Sequence, residues 1–391
     1  MTRVQRDMGG AYSVEVADLA EIQSSREEWN RLVDAMRFPT PFATWEWVTA
    51  WHEQFQANSL PWVLFVRQGG RLLGILPLTR PPRPVLLRWL MGSLAEMLGA
   101  GQVGADHLDL IVEPGHAPGC AQAINEFLRK GSVLWRELHF PLVTADSELH
   151  AQGGQLGSGL RNHVRRRSTA PYLPIAGTFE DYLQGLSSNE RYKLRSRTRK
   201  LLGMPGVEYH RFKRDERDRA LDLLFALHHR RSEEKSVVSS FARPEVEAFH
   251  RRLLAHMPWD QVVLRGLRRD SEVFAMFYGY RVGQRMFYFQ LGYDPAWSAT
   301  SPGLVLLTRT IREAFDIGCV EYNFLQGDES FKQTWTKESR SLFDCRLYSD
   351  GLRGTLSYQR QRLRECIKQR HRATGASTQA WLTDALPRPG Q

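Results

Sequence analysis

The chain of 391 residues is short of cysteine, of long apolar runs and of negative charge. Its four cysteines, Cys120, Cys319, Cys345 and Cys366, lie far apart. That scatter has neither the paired spacing of a metal site nor the density of a disulfide-stapled scaffold, and it predicts thiols in a reducing compartment. No stretch reaches the roughly 18–20 apolar residues that a membrane-spanning helix needs. The first residues include Asp7 and lack the apolar core of a secretory leader, so a cytoplasmic protein is expected.

Acidic residues number 43 against 53 lysines and arginines, a formal net charge of +10. The excess is concentrated in Arg161 to Arg167, Arg191 to Lys200 and Arg353 to Arg372. Such runs favour anionic partners: nucleotide phosphates, an acidic carrier protein, acidic lipid or nucleic acid. One tyrosine, Tyr192, accompanies the middle run, which falls short of an aromatic stacking platform, and DNA is not an expected partner. The arginine-dense tail, with Arg360, Arg362, Arg364, Arg370 and Arg372, is expected to meet an anionic surface such as a membrane.

Hydrophobic residues at 42% and aromatics at 11% suffice for packed cores, and the length predicts two domains. Strands at Trp62 to Val66 and Arg71 to Leu78 flank Gly69-Gly70, a hairpin signal. A second pair, Val262 to Leu267 and Glu272 to Tyr280, flanks a short polar turn, and the match hints at a duplicated α/β unit. The glycine-rich Gln152 to Gly159 and the proline- and small-residue-rich Thr169 to Gly177 mark the division between units. Ser187 and Glu190 have capping-box spacing, so a basic helix should start near Ser188 and stop near Gly203. A longer helix from about Asp215 to Glu234 follows, then the hairpin and a third strand from Arg285 to Leu291.

Gly292 to Trp335 is the most informative stretch. Ser301 stands where an N-cap belongs and Pro302 at the first helical position. Leu304, Leu307, Ile311, Ala314 and Phe315 recur at helical spacing, and Gly318 supplies the stop. Val320 to Leu325 reads as a strand, and Gly327 opens a loop ending in Phe331-Lys332. A helix start of this kind offers free backbone N–H groups to an anion, and Lys332 could face the same cleft.

Pro41-Phe42-x-x-Trp45-Glu46-Trp47 with Trp51, Gly74-Ile75-Leu76-Pro77-Leu78, Tyr192 to Leu202, His228 to Arg231, Ser301-Pro302-Gly303, and Phe331-Lys332 with Trp335 occur in that order. From Trp29 to Tyr348 the chain resembles the CelD-like acyltransferases of the GNAT superfamily, tied to cellulose and exopolysaccharide biosynthesis. More distantly it resembles the Fem-type aminoacyl transferases of peptidoglycan bridge synthesis. The resemblance implies an α/β (α+β) fold of two tandem GNAT-like units with mixed central sheets flanked by helices. We place the first unit at residues 1–160, the catalytic unit at 170–350 and a basic C-terminal helix and tail at 351–391.

The implied activity is acyl transfer from acyl-CoA, or from acyl carrier protein, to an amine or hydroxyl of a saccharide or lipid-linked envelope precursor. No permanently bound cofactor or metal is expected. Ser301, Gly303 and Leu304 would hold the donor's phosphates, with Phe331 beside them. Lys332 would stabilise the oxyanion or contact a phosphate, since the Phe-Lys pair of Fem-type enzymes places a lysine near the transferred carbonyl. Asp328, or Glu329 in the same loop, would accept a proton, and His228 is the candidate general base on the 215–234 helix. The glycine-rich Q/R-x-x-G-x-G/A loop of many GNAT enzymes is absent. Two other readings stay open: an aminoacyl transferase using charged tRNA, and an inactive basic binding module of an envelope-assembly complex. For His228 the alternative is a histidine tucked against the core, for Lys332 a surface lysine, and for the tryptophans simple core packing.

Overall fold

The computed structural model describes residues 11–82, 84, 92–101, 103–131 and 134–367. Its strands are β1 (Ser13–Val16), β2 (Leu60–Gln68), β3 (Arg71–Arg80), β4 (Ser93–Met97), β5 (Ile111–Val112), β6 (Trp135–Thr144) and β7 (Arg161–Pro174). They continue with β8 (Val207–Arg211), β9 (Val262–Arg269), β10 (Glu272–Val282), β11 (Arg285–Tyr293), β12 (Glu321–Asn323) and β13 (Ser339–Tyr348). All join one mixed sheet in the order β1-β2-β3-β4-β6-β13-β7-β12-β11-β10-β9-β8, with β5 beside β3.

Both halves repeat one sequence of elements. A hairpin (β2-β3, then β9-β10) is followed by a strand, a crossover helix and a parallel partner strand. In the first half β4 lies parallel to β6, with the Ala117–Lys130 helix between them in sequence. In the second, β11 lies parallel to β12, with the Pro302–Asp316 helix between them. Gly69 and Gly70 close the first hairpin with φ of 57° and 84°, the left-handed backbone that a two-residue turn requires. In the second hairpin Asp270, at φ 57°, supplies the one left-handed residue of the two-residue turn.

The stretch around 160–170, read from sequence as the division between units, is instead strand. β7 pairs with β13 over most of its length and with β12 at Tyr172–Pro174. β13 pairs on its other side with β6 of the first half. The sheet therefore runs unbroken through the junction.

The core is likewise shared. Trp47, on the Trp45–Phe55 helix, packs edge-on to Phe249, Tyr280 and Phe289 of the second half at centroid separations of 4.9, 6.1 and 6.2 Å. Its indole N–H donates to Gly99 O at 3.2 Å, and a Cβ on Gly99 would stand 3.0 Å from that ring. The second half's opposite sheet face is covered by helices Phe179–Gly185, Ser188–Leu202 and Pro302–Asp316. The Ser188–Leu202 helix opens with the capping box expected of Ser187 and Glu190. Among the described residues no helix is long and apolar enough to cross a membrane, and no cluster of side chains could hold a metal ion.

Candidate active site

The parallel pairing of β11 and β12 covers only Arg285–Phe287 against Glu321–Asn323. β12 stops there because the chain turns. Asn323 Oδ1 accepts from Leu325 N at 2.8 Å, and Leu325 takes a left-handed φ of 57°. Beyond that point residues 288–291 and 324–326 line a cavity of about 890 Å³. The parting of two parallel strands thus makes the cleft.

The start of the Pro302–Asp316 helix closes one end. Its first intrahelical bond runs from Val305 N to Ser301 O at 3.2 Å, and Pro302 has no N–H. The N–H groups of Gly303 and Leu304 are left without intrahelical partners, and both residues line the cavity. Ser301 lines it too, but not as the side-chain cap expected from sequence. It is left-handed, at φ 58°, after a 3-10 turn over Pro295–Thr300, and its hydroxyl makes no capping bond. A side-chain cap needs an extended backbone at that position.

Lys332 lies on the opposite wall and is buried. Its Nζ donates to Gln326 O at 2.7 Å and Leu325 O at 3.3 Å, and pairs with Glu329 Oε2 at 2.8 Å. All three ammonium protons are engaged, two of them by the turn that ends β12. Phe331 lines the cavity beside it, its ring 5.8 Å from that of Tyr288. Lys193, Arg231 and Lys235 add positive charge at the rim. Arg231 is anchored to Leu291 O at 2.7 Å, and its charge holds the Lys235 ammonium below its ordinary pKa. Burial pushes the Tyr288 phenol up to about 12.

Two proposed proton acceptors stand elsewhere. Asp328 is exposed and does not line the cavity, whereas Glu329 does. His228 is buried behind the wall, with Nδ1 bonded to Ser239 Oγ at 2.9 Å and Nε2 to Gln290 Oε1 at 3.1 Å. It reaches the cavity only through Gln290, which lines it. Burial lowers its pKa to about 4, so its ring is neutral and both nitrogens are occupied.

Sequence reasoning missed a buried polar chain from the first half. Asp106 lines the cavity; its Oδ1 bonds His107 Nδ1 at 2.6 Å and its Oδ2 accepts from Gln326 N at 2.6 Å. His107 Nε2 meets the Asn323 amide at 3.3 Å, and that amide donates to Glu321 at 2.9 Å. Glu321 takes both arms of Arg340, at 3.0 and 2.7 Å, and Arg340 also donates to Asp146 at 2.7 Å. Asp106 therefore fixes the same turn whose carbonyls hold Lys332. The available signal was an Asp-His pair after the glycine-rich loop 99–104, where Gly99, Gly101 and Gly104 are all left-handed.

A smaller cavity of about 550 Å³ adjoins the first, sharing Gly104 and Gln326. It is lined by Arg165, Arg167, Arg346 and Arg364 against Glu96, Asp344 and Glu365. Burial disfavours a charge on His139 in its wall, but hydrogen bonds to Asp344 and Glu96 outweigh it and raise the pKa.

Residues 188–333 match the family model for an acetyltransferase (GNAT) domain. No curated protein matches the sequence. Among solved structures the chain is similar to FemX, at 12% identity over 82% of this chain and 95% of that one, with a TM-score of 0.58. It is also similar to the C-terminal domain of a protein from Agrobacterium fabrum described as a lysylphosphatidylglycerol synthetase, at 11% identity, 86% and 95% coverage and a TM-score of 0.53. A conserved protein of unknown function from Bacteroides thetaiotaomicron follows, at 10% identity, 86% and 99% coverage and a TM-score of 0.50. At such identities the likeness is one of fold. The domain match spans the helix start, the parted strands and Lys332, so the cleft lies within the part of the chain that matches the acetyltransferase (GNAT) domain.

Proposed function

We propose that the larger cavity transfers an acyl group from an acyl-CoA or acyl carrier protein thioester to an amine or hydroxyl of a saccharide or lipid-linked envelope precursor. One observation carries the reading: two unpartnered N–H groups, on Gly303 and Leu304, and the buried Lys332 ammonium line one cleft. The acceptor's nitrogen or oxygen attacks the thioester carbonyl carbon, and the carbonyl electron pair moves to oxygen. Collapse of that oxyanion breaks the C–S bond, and the proton lost by the acceptor balances the departing thiolate.

In this reading Gly303 and Leu304 meet the donor's phosphate, Ser301 shapes the approach, and Phe331 packs against the donor. Lys332 meets the oxyanion, exchanging its longest bond, to Leu325 O, for the developing charge. Of the two carboxylates lining the cavity, Asp106 is held by His107 and Gln326, so Glu329 takes the acceptor proton, and His228 orients Gln290. The acceptor enters by the smaller cavity, whose arginines suit an anionic precursor. The CelD-like sequence resemblance supports a saccharide acceptor, and a cytoplasmic setting at the inner face of a membrane follows from a lipid-linked one.

A second reading is favoured by the cationic rim of Lys193, Arg231 and Lys235 and by the missing pyrophosphate loop: a Fem-type transfer from aminoacyl-tRNA. Mass spectrometry of ligand retained by the purified protein, followed by turnover of the identified donor, tests both. A thioester donor insensitive to ribonuclease supports the first, and a ribonuclease-sensitive donor the second. No turnover with either would leave a binding module and overturn the catalytic reading.

A further inference from the structure

The chain ends its described part with a helix over 352–367 whose polarity is turned inside out. Its inner side rests on the sheet through polar contacts. Ser357 Oγ donates to Glu137 at 2.9 Å, Glu365 meets His163 at 2.8 Å, and Tyr358 packs edge-on to Tyr348 at 5.4 Å. Its outer side carries Leu352, Leu356, Leu363 and Ile367, which are 75%, 51%, 62% and 46% exposed. At about 100° per residue these four fall within an arc of roughly 60°, one aligned stripe along the helix with Gln359 between its two halves. Aliphatic side chains scattered singly on a surface need no explanation, but an aligned stripe of four does.

What flanks the stripe identifies its occupant. On the same wheel Arg353, Arg360 and Arg364 border one edge, and Arg362 lies beyond the other. The helix's one carboxylate, Glu365, points inward to His163. Apolar residues bordered by arginines, with no outward acid, match the interface of an anionic bilayer, where lipid phosphates meet acyl chains. A protein partner would have to bring both an apolar groove and an acidic rim.

We propose that the 352–367 helix docks the enzyme on an anionic membrane surface, inserting Leu352, Leu356, Leu363 and Ile367 between the headgroups. The acyl-transfer assignment is not needed for this, so each can fail without the other. The same helix lends Gln361, Arg364 and Glu365 to the smaller cavity, so docking brings that cavity to the lipid surface.

The test uses the full chain and vesicles of phosphatidylcholine alone or mixed with phosphatidylglycerol. Sedimentation should show binding to the mixed vesicles and at least tenfold weaker binding to phosphatidylcholine. The Leu356→Gln/Leu363→Gln variant should lose at least tenfold in partitioning, with an unchanged melting temperature. The Arg360→Gln variant should weaken binding severalfold at low salt and little at high salt, where headgroup attraction is screened. The proposal is overturned if the wild-type chain ignores mixed vesicles, or if the leucine variant binds them equally. It also falls if the leucine variant instead splits a dimer or lowers the melting temperature, which would assign the stripe to a second copy or to the chain's own tail.

Discussion

Lys332 lines the cleft and His228 stands behind its wall, and the two differ in what their surroundings allow. An ammonium already held by two carbonyls and a carboxylate is pre-oriented, so meeting an oxyanion costs little reorganisation. Lys332→Met should lower turnover by about a hundred- to thousandfold. It should also lower stability by roughly 1–3 kcal/mol, because the buried Leu325 carbonyl and the half-buried Gln326 carbonyl lose their donor. Assays well below the melting temperature separate the effects, and near wild-type turnover there would leave Lys332 a structural role only. His228 is neutral in the fold, with its pKa near 4 against an ordinary 6.5. Between those values the unfolded chain binds the extra proton, so stability falls as pH drops from about 6.5 towards 4. The loss reaches on the order of 3 kcal/mol from this group. His250, fully buried and lowered to about 3, adds in the same direction. Denaturant unfolding at pH 5 and pH 7 should show a smaller difference in His228→Asn than in wild type. The pH–rate profile above pH 5 should be the same in both; a limb lost in the variant would restore His228 as the base.

At the scale of elements, the helix start at Gly303 is where binding and fold can be separated. A Cβ there would lie 3.3 Å from Leu291 Cδ2 and 3.6 Å from the Tyr293 ring, close but without backbone collision. Gly303→Glu places a carboxylate at a helix N-terminus, which the helix dipole tolerates well. The same carboxylate competes with a phosphate for the free N–H groups. Donor affinity, measured by calorimetry, should fall about tenfold or more while cooperative melting persists. Unchanged affinity would move the phosphate site elsewhere. The helix itself was legible because its signals are local: Pro302 at its start, Gly318 past its end at φ 74°, apolar residues at helical spacing between. The capping box at Ser187 was legible for the same reason. The manner of Ser301's contribution was not, because its left-handed backbone depends on the turn before it. Nor was the hold of Asp106 on Gln326, since those residues are 220 positions apart and only the sheet's closure brings them together.

At the scale of the whole molecule, the matched domain of residues 188–333 and the unit that can fold are different things. That span lacks β7, which pairs with β12, and β13, which joins β7 to β6. It also lacks Trp47, whose ring fills the space between Phe249, Tyr280 and Phe289. The hairpin repeat read in the sequence therefore describes a repeated order of elements, not independence of its parts. Expressed alone, residues 161–350 keep β7 and β13 but leave β13 without its β6 partner, an exposed row of unpaired N–H and C=O groups. They also open an apolar hole where the indole stood, a loss on the scale of a tryptophan truncation, about 3–5 kcal/mol, against a typical total stability of about 5–15 kcal/mol. The fragment should show no cooperative thermal transition by circular dichroism and should aggregate. In the full chain, Trp47→Ala should lower stability by about 3–5 kcal/mol and reduce turnover, because Phe289 lines the larger cavity. A fragment 161–350 that melts cooperatively and turns over its donor would show that the first half is an appendage. Its failure, with Trp47→Ala impaired in both measures, would mean that the first half builds the active site as well as flanking it.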